Sequence, residues 1–190
     1  MTKSIMLVGV GGQGTITASK LLTLGLMHAG YDVKMSEIHG MSQRGGSVSS
    51  QVRFGDKVYS PVIAPGTADI LVSFEVVEAN RYINHLKADG KVVVNNFEMQ
   101  SVSTITGAED YPEGVLEYVK SKVDTLVIDA AKLADELGNG KVMNVILLGA
   151  LIKSMGLDNI DWDSIIEGNI KPKFVELNKK ALKVGMDQVK

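Results

Sequence analysis

The sequence predicts an α/β fold, a mostly parallel, doubly wound (Rossmann-like) sheet with an antiparallel hairpin inserted in it. Three observations carry the prediction. Short apolar runs alternate with helical stretches along the chain, the order that builds a parallel sheet covered on both faces. The first run leads through a glycine turn into an amphipathic helix. One segment, by contrast, alternates in polarity, as a strand in an antiparallel ladder does. With 190 residues and no linker, internal repeat or low-complexity segment, residues 1–190 read as a single domain.

Ile5-Met6-Leu7-Val8 is short, continuous and apolar, a buried strand. Gly9 to Gly14 breaks it. Residues 15–29 follow as a helix, with Ala18, Leu21, Leu22 and Leu26 spaced by three and four and Gly30 at the C-terminal cap position. Residues 32–36 form a second strand, which completes a βαβ unit. Residues 37–46 are polar and glycine-containing, and a loop is expected there. Residues 47–54 put Val48, Val52 and Phe54 on one face and Ser47, Ser49, Gln51 and Arg53 on the other. Gly55-Asp56 then reads as a two-residue hairpin turn, with Lys57-Val58-Tyr59 as its return strand. Pro61 and Pro65-Gly66 mark a loop. Residues 70–74 are a buried strand, followed by a helix over residues 75–86 that Gly90 stops. Val92-Val93-Val94 is the next strand, ending at Asn95-Asn96. After an irregular stretch to Tyr111 the pattern predicts a helix over 113–122 and a strand at Leu126-Val127-Ile128. A short helix over 130–137 ends at Gly138. Residues 142–155 are apolar on nearly all sides, a buried helix, and residues 173–189 form a lysine-rich surface helix.

Twenty Lys and Arg against 22 Asp and Glu give a formal net charge of −2, so no nucleic-acid partner is expected. At 45% hydrophobic residues the chain can bury a sizeable core. It contains no cysteine, which excludes a disulfide, a cysteine nucleophile, a cysteine-ligated zinc and an iron–sulfur cluster held by cysteines of this chain. The apolar run at residues 5–10 is shorter than a signal-peptide core, and residues 142–152 are too short to span a bilayer and are interrupted by Asn144. No membrane association and a cytoplasmic location are therefore expected.

Gly9-Val10-Gly11-Gly12-Gln13-Gly14 satisfies G-x-G-x-x-G between a strand and a helix. Glycines there permit positive φ and let backbone N–H groups approach an anion at a helix N-terminus. Glu37 lies 23 residues after Gly14, near where a dinucleotide site keeps its ribose-binding acid. The motif alone fits a phosphate-binding turn and a ligand-free tight turn equally well. No Gly-Lys-Ser/Thr follows, so it is not a Walker A loop.

The second candidate is the loop Glu37-Ile38-His39-Gly40-Met41-Ser42-Gln43-Arg44-Gly45-Gly46. It gathers an acid, a histidine, a glutamine and an arginine at a strand end, where α/β proteins carry their functional loops. Arg44, ahead of Gly45-Gly46, is suited to grip a carboxylate or phosphate; a structural salt bridge or a subunit contact is the competing reading. His39 reads more readily as a satisfied loop histidine than as a metal ligand. His28 and His85 lie in helices without paired spacing, so no metal site is expected.

The pairing of Gly9-Val10-Gly11-Gly12-Gln13-Gly14 with Glu37-x-His39-Gly40-Met41-x-Gln43-Arg44-Gly45-Gly46-x-Val48 resembles the gamma-type domain of 2-oxoacid:ferredoxin oxidoreductases. The resemblance covers nearly the whole chain. His39-Gly40-Met41-x-Gln43 points to the indolepyruvate branch and its beta subunits, because pyruvate-type gamma chains carry a different, Pro-containing lead-in to Arg-Gly-Gly. Enzymes of this family oxidise 2-oxoacids to acyl-CoA with thiamine diphosphate, iron–sulfur clusters, coenzyme A and ferredoxin. In the indolepyruvate branch the thiamine diphosphate and the clusters belong to a larger catalytic alpha subunit.

The resemblance thus implies a non-redox subunit that binds none of these cofactors alone. It would pack on the alpha subunit, meet ferredoxin only through it, and help shape the approach of substrate or coenzyme A. Gly55-Asp56 with Asn95-Asn96 is a near-match to a diphosphate motif but lacks its third glycine. The residues expected to touch ligand or partner are Gly9, Gly11, Gly12, Gln13, Gly14, Glu37, His39, Gly40, Gln43, Arg44, Gly45 and Gly46. None is assigned as catalytic. The alternatives are an NAD(P)-binding Rossmann dehydrogenase and an anion-binding regulatory module. Both rest on the glycine turn alone, and 190 residues leave a dehydrogenase little room for a substrate domain.

Overall fold

The computed structural model describes residues 2–40, 45–100 and 102–190. Six strands, β1 (Lys3–Val10), β2 (Asp32–His39), β3 (Ser47–Gly55), β4 (Ala68–Ser73), β5 (Leu86–Asn95) and β6 (Asp124–Ile128), form one sheet in the order β2-β3-β1-β4-β5-β6. Eight helices accompany them among the described residues: α1 (Thr15–His28), α2 (Val76–Tyr82), α3 (Val102–Ile105), α4 (Val115–Lys122), α5 (Ala130–Glu136), α6 (Met143–Ser154), α7 (Trp162–Asn169) and α8 (Val175–Met186). β1, β4, β5 and β6 pair in parallel, while β3 is antiparallel to both β1 and β2. Five strands thus share one direction and β3 alone opposes them.

The continuous apolar strands are explained by burial on both faces. Ile5 and Leu7 of β1 belong to one hydrophobic cluster with α1, α5, α6, α7 and α8, and Met6 and Val8 to another with α2 and α4. β4 and β5 divide alike, with Ile70, Val72 and Val93 on the first side and Leu71, Val92 and Val94 on the second. The first cluster is closed by the crossing of α6 and α8. There an ideal Cβ on Gly149 would lie 2.1 Å from the Leu182 carbonyl oxygen, and one on Gly185 1.8 Å from that of Ile146. Backbone meets backbone, so nothing larger than glycine fits.

Several expected details differ. The inserted hairpin is β2–β3, closed by the pair His39 and Val48, and not a pairing of residues 47–54 with residues 57–59. β3 is hydrogen-bonded on both sides, so no free edge remains for a return strand. Residues 57–66 instead cross its polar face, where Gln51 Oε1 accepts from the Ile63 N–H at 2.6 Å and Arg53 donates to the Ser60 carbonyl at 3.0 Å. Because β3 is wedged between β1 and β2, the opening βαβ unit is split. β2 also runs on to His39, so Glu37 to His39 are strand and not loop.

Gly90 does not stop a helix: α2 ends at Tyr82, a 3-10 turn covers Ile83–His85, and Gly90 is buried inside β5. A Cβ there would press within 2.9 Å of Leu86 Cδ2 and 3.2 Å of the Ala68 carbonyl, beside a register shift between β4 and β5. The last helix, α8, is not wholly a surface helix, since Asn178, Ala181, Leu182 and Gly185 are buried. α7 has no counterpart in the sequence reading. Its cap Asp161 accepts from the Ser164 N–H at 3.1 Å.

Candidate functional site

The C-terminal ends of the parallel strands bring together the glycine turn after β1, the start of β3 after the β2–β3 connection, and the segment after β4. Open α/β sheets place ligands at this end.

In the turn, the Gln13 side chain is a clip. Its Oε1 accepts from the Val10 N–H at 2.8 Å and its Nε2 donates to the Phe74 carbonyl at 3.1 Å, tying the turn to the end of β4. Gly9 makes room for the clip, because a Cβ there would lie 2.8 Å from Gln13 Oε1. Gly14 caps α1 in the left-handed region at φ 85°. Its carbonyl accepts from Asn144 Nδ2 at 3.2 Å, and a Cβ on it would come within 2.6 Å of that nitrogen. Gly9, Gln13 and Gly14 therefore serve the protein's own packing, whereas a Cβ on Gly12 would meet nothing within 4 Å.

Two backbone bonds stitch the turn to the second candidate loop. Gly11 N–H donates to the Gly46 carbonyl at 2.8 Å, and Gly45 N–H donates to the Gly11 carbonyl at 3.3 Å. Beside this seam lies a cleft of about 350 Å³ lined by Gly11, Gly12, Gly14, Thr15, Ile16, His39 and Val48. The N-terminus of the 14-residue α1 opens on it, with no acidic residue in the first turn and no side-chain cap. The positive end of the helix dipole is thus not offset by the helix's own side chains, which favours an anion in the cleft.

Glu37 stands apart from this cleft. Its Oε1 accepts from Ser19 Oγ on α1 at 3.4 Å. With β3 inserted, its strand is two spacings from β1, about 10 Å, rather than next to it as a ribose-binding acid requires. His39 is exposed, its Nδ1 3.3 Å from the Gly40 carbonyl oxygen. Gln43 and Arg44 lie outside the described residues. Among the described residues no group of three His, Cys, Asp or Glu could hold a metal ion.

The sequence reading missed the other wall of the site. A second cleft of about 220 Å³ opens between Val10, Gly45 and Ser47 on one side and Glu75, Glu78, Arg81 and Tyr111 on the other. Glu75 and Glu78 are almost fully buried. Glu75 caps α2, accepting from the Glu78 N–H at 2.9 Å. It also accepts from the Met99 N–H at 3.2 Å and the Tyr111 hydroxyl at 2.7 Å, fastening the segment after β5 over the site. Burial, then that hydrogen bond and the charges of Glu75 and Glu98, push the Tyr111 hydroxyl well above the ordinary tyrosine range, so it stays a donor. The available signal was Glu75, an acid directly after a continuous apolar strand and repeated at i+3. It resembled an ordinary solvated helix start. Asn95 is fully committed internally: its Oδ1 accepts from the Ala130 N–H at 3.0 Å and its Nδ2 donates to the Phe74 carbonyl at 3.2 Å.

The profile of the family described as pyruvate ferredoxin/flavodoxin oxidoreductase matches residues 4–188. The chain is 43% identical over 195 aligned positions to the indolepyruvate oxidoreductase subunit IorB of Pyrococcus horikoshii, covering 98% of this chain and 96% of that one. It is 40% identical to the subunit of the same name from Thermococcus kodakarensis, at the same coverage. Among solved structures, the gamma subunit of a keto/oxoacid ferredoxin oxidoreductase from Geobacter sulfurreducens shares the fold with TM-score 0.72 at 22% identity, over 98% of this chain and 97% of that one. The pyruvate oxidoreductase subunit PORC of Thermotoga maritima aligns with TM-score 0.74 at 25% identity, over 100% of this chain and 97% of that one.

Proposed function

Since the chain belongs to the pyruvate ferredoxin/flavodoxin oxidoreductase family, we propose that it is the small, non-redox subunit of a 2-oxoacid ferredoxin oxidoreductase of the indolepyruvate type. The observation that carries the branch is near full-length identity, on both sides of the alignment, to subunits of that name. The catalytic groups of such an enzyme do not fit this chain. It has no cysteine for a cluster. Gly55 pairs with Asp32 at the far end of the sheet from the clefts, and Asn95 is occupied internally, so the near-match to a diphosphate motif forms no site. Thiamine diphosphate and clusters are accordingly assigned to a larger partner subunit, with ferredoxin reached through it and the assembly cytoplasmic.

This chain's own contribution is an anion-receptive surface. The open cleft at the N-terminus of α1 and the adjacent loop carrying Gln43 and Arg44 suit a carboxylate or phosphate of the 2-oxoacid or of coenzyme A, approaching between the subunits. No catalytic residue is assigned to this chain, whose part in the proposed enzyme is to bind and orient rather than to react. The test is co-expression with the larger subunit. Indolepyruvate-dependent acceptor reduction is expected from the complex and from neither chain alone. Turnover by this chain alone, or failure to co-purify, sinks the proposal. Within the complex, Arg44→Ala raises KM if Arg44 meets an anionic ligand and promotes dissociation if it meets the partner. The loss of a charge-assisted contact corresponds to about 10- to 150-fold.

A further inference from the structure

We infer that Glu78 is a positioning residue: from α2 it fixes the root of the loop that carries Arg44. The inference rests on the reading above that this loop meets an anionic ligand or the larger subunit. Glu78 is only 4% exposed. Its Oε2 accepts the hydroxyl of Ser47, the residue directly after Gly45-Gly46. Its Oε1 accepts from Arg81 Nε at 2.9 Å, and the Tyr82 hydroxyl lies 3.4 Å from the same serine oxygen. Ser47 is also the residue of β3 that pairs with Val10, where the glycine turn begins. With the two backbone bonds between Gly11, Gly45 and Gly46, the turn, the loop root and α2 become one network.

A carboxylate taken out of water is costly, and a well-packed apolar residue usually serves stability as well. The ion pair does not account for it, because Arg81 is three residues on, on the same helix, with its side chain 57% exposed. Glu75 does not share the task, as its oxygens are engaged by Glu78, Met99 and Tyr111. What Glu78 supplies, and an apolar residue there would not, is an acceptor for the Ser47 hydroxyl. It therefore sets where β3 starts against the glycine turn, at Ser47.

Hydrogen exchange on the full chain reads that root directly. Glu78→Gln keeps the shape but replaces a charged acceptor with a neutral one, and Ser47→Ala removes the donor. In either variant the Gly11 and Gly45 amides exchange about 10-fold faster, the amides of β4 less so, and the melting temperature falls by no more than the roughly 3–6 °C that a 10-fold change implies. The double variant is no faster than the single ones, because both cut the same bond. Unchanged exchange at Gly11 and Gly45, or acceleration spread over the whole sheet, overturns the inference. Kinetics of the assembled enzyme separate it from the reading beneath it. Glu78→Gln raises KM in the wild-type background and adds nothing when Arg44 is already alanine. If Arg44→Ala alters neither assembly nor kinetics, the reading of the loop fails. If Arg44→Ala is impaired and Glu78→Gln behaves as wild type, the loop's role stands and the positioning role of Glu78 falls.

Discussion

Replacing Gly185 by alanine sets two opposed effects against each other at the α6–α8 crossing. Alanine is the better helix former by about 0.8–1.0 kcal/mol, and an exposed helical glycine gains roughly that on substitution. At Gly185 the new Cβ would start 1.8 Å from the Ile146 carbonyl oxygen, against 3.4 Å for ordinary contact, so something must move by 1.6 Å. The Ile146 carbonyl carbon and Cα, at 2.7 and 3.0 Å, block the same path, and no rotamer change relieves backbone. Overpacking of a tight interior costs about 1–3 kcal/mol and occasionally more. Taking the upper end and subtracting the propensity gain leaves a net loss of about 2 kcal/mol, a fall in melting temperature of roughly 4–8 °C for a chain of this size. Gly168→Ala in α7 is the control, since a Cβ there meets nothing within 4 Å. It should raise the melting temperature by up to about 4 °C. Thermal unfolding followed by circular dichroism at one protein concentration measures both. A Gly185→Ala chain that melts at or above the wild type, with the control behaving as expected, would refute the reasoning.

Three further outcomes are expected. Gln13→Ala leaves the Val10 N–H without its partner, while the Phe74 carbonyl keeps its bond from Asn95, and lowers stability by about 1–3 kcal/mol in urea; an unchanged midpoint would mean that water replaces the amide. The Asp32 carboxyl is lowered to about 2, chiefly by the hydrogen bond from Lys34 and then by the Val58 N–H, so its contribution to stability is complete above its ordinary value of 3.8 and is lost as pH falls toward 2. Asp32→Asn should flatten the stability curve between pH 4 and 2, and an NMR titration of Asp32 with its midpoint near 4 would contradict this. Calorimetric titration of the isolated chain should give no low-micromolar binding of NAD or NADP, because β3 separates Glu37 from the glycine turn; a tight isotherm would restore the dehydrogenase reading.

What was legible in the sequence follows from which interactions are local. β1, β4 and β5 are apolar on both faces because helices cover both, and a short unbroken run of that kind has few other uses. The hairpin was misplaced because Gly55-Asp56 is a local turn signal, whereas the pairing of β3 is decided by two neighbours, β1 and β2. Its polar face is not solvated: Ser49 and Gln51 are buried, and Gln51 and Arg53 bind the backbone of residues 57–66. Glu75 and Glu78 were invisible for the same reason. A carboxylate near a helix start is usually solvated, but Met99 and Tyr111 fold over Glu75, and Ser47 of β3 returns onto Glu78.

The glycine motif shows how a correct pattern carries two meanings at once. Gly9 admits the Gln13 clip, and Gly14 admits Asn144 from α6, two close approaches made by the protein's own side chains. Those positions would be glycine with or without a ligand, so G-x-G-x-x-G could not by itself separate a dinucleotide site from a structural turn. The distinction lies in Gly11 and Gly12. Gly11 spends its N–H on Gly46 and its carbonyl on Gly45, which joins the turn to the arginine loop, while Gly12 faces open space at the cleft. A dinucleotide-binding turn keeps its N–H groups for the pyrophosphate and has its acid on the neighbouring strand. Here one of those N–H groups is given to the loop, and the neighbouring strand is the antiparallel β3. The same six residues therefore tie the turn to the start of β3 rather than leaving it open to a nucleotide laid along β1.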